Sequence, residues 1–189
     1  MEYFLELFLG GLTRGSIYAL IALGYTMVYG IVQLINFAHG EIYMIGAFTA
    51  LIIASVLTML GWHVVAILII ASTAAVLYSS AYGYTVEKLA YKPLRRAPRL
   101  SALISAIGMS FFLQNYVLLA QTSDFLPFPS LIPDLEFWEP YAHIISSQEI
   151  VIILTTAVVM ILLTFLIKFT RIGKAMRATA QDRDMAMLV

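Results

Sequence analysis

The chain has 189 residues with eleven basic and eleven acidic side chains; only 12% are charged, 61% are hydrophobic, and mean hydropathy is +0.91. A soluble domain carries about 25% charged residues, so the sequence excludes a water-soluble globule and indicates an integral, all-α membrane protein. There is no cysteine, which removes disulfide frameworks and thiol chemistry, and neither the zero net charge nor any aromatic-basic interleaving suggests nucleic acid.

A membrane-crossing helix needs about 20 apolar residues. Charge is absent from 15–40, 42–86, 100–123 and 150–167. The second stretch is long enough for two helices, with Gly61-Trp62-His63 as the turn between them. Five spans are therefore predicted, near 8–31, 38–60, 64–86, 101–121 and 149–168. Glu2 and Glu6 precede the first, and no basic residue comes before Arg14, so the N-terminus lacks the charged start of a signal peptide.

Small residues line one face of each of the first two spans: Gly11, Gly15 and Ala19, then Gly46, Ala50 and Ala54. Such faces usually mark close helix packing in lipid. Between these spans, Asn36-Phe37-Ala38-His39-Gly40-Glu41 breaks the apolar run. Asn36 is expected to cap the second helix and Glu41 to lie in its first turn. Two readings stand side by side. One is a capped helix start at the inner face; the other is a discontinuous helix bordering a translocation path through Asn36, Phe37, His39, Gly40 and Glu41. A metal at His39 and Glu41 is not expected, because His63 and His143 fall on the opposite side of the membrane. Ser16, Ser101, Ser105 and Ser110 lack a nucleophile elbow and are expected to bond to neighbouring helices.

Residues 87–99 form a basic loop with Lys88, Lys92, Arg95, Arg96 and Arg99, while 122–148 is an acidic, proline-rich loop; Trp62, Trp138 and Tyr141 fall where interfacial aromatics are expected. The tail, 169–189, is basic again. By the positive-inside rule the basic segments are cytoplasmic, and the acidic loop and the N-terminus lie outside. At helical spacing from Arg171, one mildly apolar face carries Ile172, Ala175, Met176, Thr179 and Ala180, and another carries Lys174, Arg177, Gln181 and Asp184. This helix is too short and too charged to span, and its shallow face suits a groove on a protein.

Two blocks carry a family resemblance. Gly15-Ser-Ile-Tyr-Ala-Leu-Ile-Ala-Leu-Gly-Tyr-Thr-Met-Val-Tyr-Gly30, continued by Ile35-Asn-Phe-Ala-His-Gly-Glu-Ile-Tyr-Met-Ile-Gly-Ala47, resembles the N-terminal signature of LivH-type permeases, the membrane subunits of branched-chain amino acid ABC importers. Arg171-Ile-Gly-Lys-Ala-Met-Arg-Ala-Thr-Ala-Gln-Asp182 resembles that family's coupling segment. The resemblance implies a bacterial inner-membrane permease for branched-chain or related amino acids, itself without catalytic residues or cofactor. It would work with a second permease subunit, two ATP-binding subunits and a periplasmic solute-binding protein. It also implies that Arg171, Gly173, Ala175, Met176, Arg177, Ala178 and Asp182 contact an ATP-binding subunit. Family members continue into further spans, so 1–189 reads as the N-terminal portion of one permease domain. The rival class is a membrane scaffold or channel subunit, which needs no such cytoplasmic helix.

Overall fold

The computed structural model describes residues 2–32, 35–94, 97–124, 126–129, 131 and 145–181. Those residues form helices α1 (Glu2–Val32), α2 (His39–Met59), α3 (Val64–Val86), α4 (Arg99–Ala120), α5 (Ser147–Phe169) and α6 (Arg171–Gln181). The first five are long and apolar enough to cross a membrane. Most of the acidic loop, together with Arg95, Arg96, Asp182, Arg183 and Asp184, lies outside the described residues. The helices fall into two compact units, residues 34–131 with α2, α3 and α4, and residues 1–33 with 132–189, which hold α1, α5 and α6.

In the first of these units, α2 and α3 form an antiparallel hairpin whose turn is specified residue by residue. Gly61 takes φ +71°, the left-handed conformation that glycine reaches without steric cost. The Trp62 N–H then donates to the Leu57 carbonyl at 3.1 Å and the Gly61 N–H to Thr58 at 3.0 Å, closing the last carbonyls of α2. One residue on, His63 caps α3 by accepting the Val65 N–H on Nδ1 at 3.3 Å. The hairpin closes around Gly46, where an added Cβ would collide with the Ser79 side chain. Buried Ala38, Ile45, Val86, Ala90, Tyr91, Ala106, Leu113 and Val117 make the core shared with α4.

The helix of α3 does not stop at the first basic residues. It continues through a π-turn, Glu87–Tyr91, into a 3₁₀ turn, Lys92–Leu94. The loop expected at 87–99 is thus helical over its first eight residues, because only Pro93 and Pro98 oppose continuation.

In the second unit α1 packs against α5, and α6 packs against both. α5 begins with a reciprocal cap in which Ser146 Oγ accepts the Glu149 N–H at 3.3 Å and Glu149 Oε2 accepts the Ser146 N–H at 2.9 Å. α1 starts at Glu2 rather than near 8. Its 31 residues span about 46 Å, longer than the hydrocarbon core, so Glu2 and Glu6 ride on an end that needs no burial.

Candidate functional site

The break between α1 and α2 is held by side chains far along the chain. Asn36 does not cap α2. Ala38 occupies the cap position without a side-chain bond, and Asn36 instead uses its backbone carbonyl to accept the His39 N–H at 3.2 Å. Its side-chain Oδ1 is taken by the Tyr91 hydroxyl at 2.8 Å. The expected cap fails because a buried phenol takes the same oxygen.

Glu41 does lie in the first turn of α2, where its charge meets the helix N-terminus favourably. It is half-buried, and its Oε1 accepts the Ser110 hydroxyl at 2.9 Å. Ser110 stands at the centre of α4, about 16 Å from either helix end. The pair therefore ties the first turn of α2 to the middle of α4. Ser105 adds a second tie, donating to the Ala90 carbonyl at 3.2 Å. The remaining residues of the break differ in exposure: Phe37 is 41% exposed, Gly40 is exposed, and His39 is half-buried.

Tyr91, Ser105 and Ser110 complete the site, and only the serines are visible in the sequence, as hydroxyls inside an apolar span. Tyr91 sits among the basic residues of 87–99 and carries no signal of burial.

The segment resembling a coupling element forms α6. Its start is set by Thr170, whose Oγ1 accepts the Gly173 N–H at 3.1 Å and whose carbonyl accepts the Lys174 N–H at 3.0 Å. Gly173 is buried so tightly that a Cβ there would strike the carbonyl oxygens of Ile167 and Leu166. Only glycine lets α6 turn this closely off the end of α5. Arg177 folds back and donates to the Lys168 carbonyl at 3.1 Å. Gly173 is fully buried and Met176, Thr179 and Ala180 half-buried on one side, whereas Arg171, Ile172, Lys174, Ala175, Arg177 and Ala178 are exposed. The apolar face expected from spacing is therefore split, because Gly173 brings the Met176 side onto the chain and leaves Ile172 and Ala175 outward.

These features define a multi-pass helical membrane protein with a polar break between its first two spans and a short amphipathic helix after its fifth. The chain belongs to the family described as branched-chain amino acid transport system / permease component, which matches residues 7–189. It is similar to the high-affinity branched-chain amino acid transport system permease protein BraD of Pseudomonas aeruginosa, 48% identical over 99% of this chain and 62% of that protein. It is 46% identical to the LivH permease proteins of Escherichia coli K12 and Salmonella typhimurium, again over 99% of this chain and 62% of each relative. The chain thus spans about three fifths of the length of these relatives. No solved structure matches it. It is a multi-pass protein of the bacterial inner membrane.

Proposed function

We propose that the chain is part of the permease subunit of an ATP-driven importer, moving branched-chain or related amino acids inward across the inner membrane. Its N-terminus lies outside and α6 in the cytoplasm, in keeping with the basic segments 87–99 and 168–183 and the acidic loop between them. A second permease subunit, two ATP-binding subunits and a periplasmic solute-binding protein complete the machine. ATP hydrolysis takes place on the ATP-binding subunits, and this subunit supplies the path and the lever.

The observation that carries this reading is α6. It is a short helix locked to α5 through Gly173 and Thr170, with Ile172, Ala175 and Ala178 turned outward. An outward face of small apolar side chains fits a protein groove, and the tight turn passes a push on α6 to a membrane-crossing helix without slack. Asn36–Glu41 is the part of the path contributed by the segment leading into α2, where Glu41 faces a substrate ammonium or holds α4 through Ser110.

The test is Ala178→Glu in the complete importer. It leaves every positive charge in place, so attraction to anionic lipid survives, about 1 kcal/mol per basic residue. Co-purification of the ATP-binding subunits and leucine uptake are both lost while the permease still inserts. Retention of both would remove α6 from the coupling interface.

A further inference from the structure

Toward the Ala120 end of α4, the unit formed by α2, α3 and α4 contains a cleft of about 210 Å³ lined by Ile45, Phe48, Tyr78, Tyr82, Tyr116 and Val117 among others. Pockets that take drug-sized ligands run to about 300–1,000 Å³, so this one suits a molecule no larger than a single amino acid. The Tyr78 and Tyr82 rings lie 5.0 Å apart and those of Tyr82 and Tyr116 6.3 Å apart. The Tyr82 hydroxyl meets that of Tyr78 at 3.5 Å. Three hydroxyls with one mutual bond keep two O–H groups and several lone pairs for a ligand.

The cleft lies alongside the apolar spans and reaches the end of α4. Tyr116 is six residues, about 9 Å, from mid-helix Ser110. Were it opened to lipid tails, those spare hydroxyl sites would face hydrocarbon at a cost of about 1–3 kcal/mol each. A polar or zwitterionic occupant removes that cost. None of the lining side chains is charged. An ion with net charge would find no counter-ion there, whereas a zwitterion brings its own. Aromatic rings attract an ammonium, the hydroxyls can donate to a carboxylate, and Ile45, Phe48 and Val117 offer apolar surface to an aliphatic side chain.

Beneath the cleft lies a barrier. Ile45 and Val117 line it and are 4% exposed, packed with Leu113. Glu41 precedes Ile45 by one helical turn and Ser110 precedes Val117 by two, so the Glu41–Ser110 pair lies on the same stripe just beyond this apolar layer.

We propose that the Tyr78–Tyr82–Tyr116 cleft is a transit site for one zwitterionic α-amino acid with an aliphatic side chain, and that Ile45 and Val117 seal it from the Glu41–Ser110 pair. The proposal rests on the importer reading and deepens it by assigning a substrate site to this subunit.

The complete importer, with a single cysteine introduced by Thr49→Cys, tests it. Thr49 lines the cleft. The Thr49→Cys thiol reacts with a charged, membrane-impermeant methanethiosulfonate, and leucine at millimolar concentration slows the reaction whereas glutamate does not. Val117→Phe fills the cleft and lowers leucine uptake by about tenfold or more, with ATP-binding subunits still co-purifying. Tyr82→Phe, which keeps the ring, separates a ligand role from a steric one: combined with Thr49→Cys, it weakens leucine protection of the thiol while membrane levels hold. Reaction only with a membrane-permeant reagent would place lipid in the cleft and overturn the proposal. So would unchanged uptake in Val117→Phe together with no leucine protection. Failure of the importer reading shows separately, because the unmodified complex then takes up no branched-chain amino acid.

Discussion

The Tyr91 hydroxyl donates to Asn36 Oδ1 at 2.8 Å, joining the π-turn after α3 to the segment that leads into α2. Tyr91 is 7% exposed, so the bond is shielded at one end and reachable by water at the half-buried asparagine. The two partners are consequently unequal. Tyr91→Phe removes the donor and costs about 1 kcal/mol, since water can serve the asparagine. Asn36→Leu removes the acceptor from the more deeply buried end and costs more, up to about 3 kcal/mol. Thermal unfolding of the purified complex in detergent checks the order, and a double-mutant cycle isolates the bond.

Glu41 and Ser110 separate charge from position. Glu41→Gln keeps an acceptor for Ser110, so α2 and α4 stay together and the complex assembles. Leucine uptake nevertheless falls by about tenfold, as the loss of a group used during transport would require. Ser110→Ala retains the charge but removes its donor, and lowers thermal stability where Glu41→Gln does not. Unchanged uptake in Glu41→Gln would reduce the carboxylate to a tie between helices.

Two glycines in close contact respond differently to one added methyl. At Gly46 the obstacle is the Ser79 hydroxyl, which can rotate away; at Gly173 it is the backbone of Leu166 and Ile167, which cannot. Gly46→Ala therefore leaves uptake within about twofold, while Gly173→Ala displaces α6 at an overpacking cost of about 1–3 kcal/mol. Loss of ATP-binding subunits on purification of Gly173→Ala, with normal insertion, is the expected sign. Gly46→Leu exceeds what Ser79 can clear and reduces membrane levels.

Orientation is checked with single cysteines and an impermeant maleimide on intact cells. Ser130→Cys labels from outside; Ala97→Cys labels only after the membrane is opened. The reverse pattern would place α6 on the wrong side for any cytoplasmic partner.

The spans are legible because charge is so rare in this chain. α3 begins and ends where the uncharged run and the Gly61-Trp62-His63 turn place it, and α2, α4 and α5 agree within two residues. α1 reads too short because Glu2 and Glu6 resemble the end of a helix rather than its projecting first turns. Facing is not legible, since a helix apolar all round gives no periodic sign of which side is buried. The small-residue rule shows this directly. Gly46 meets α3, whereas Cβ atoms built at Gly11 and Gly15 meet nothing within 4 Å among the described residues. The break at Asn36–Glu41 is visible as polarity, but its partners Tyr91 and Ser110 lie 55 and 69 residues away along the chain. No local spacing encodes such pairs.

The π-turn at Glu87–Tyr91 holds one residue more than α-helical winding would need. Leu89 within it is 66% exposed and carries no role in the core. Deleting a residue from a helix ordinarily shifts everything beyond it by about 100° around the axis and breaks its packing. Here the deletion of Leu89 would relax the wide turn to regular winding and leave an unbroken helix. Phase would be kept, because four steps of the wide turn and three of regular winding bring Tyr91 to nearly the same side of the helix. The bond to Asn36 and the α2–α3 hairpin would both survive. The surplus residue is thus slack in the winding, the one place in this helix where a one-codon deletion is absorbed.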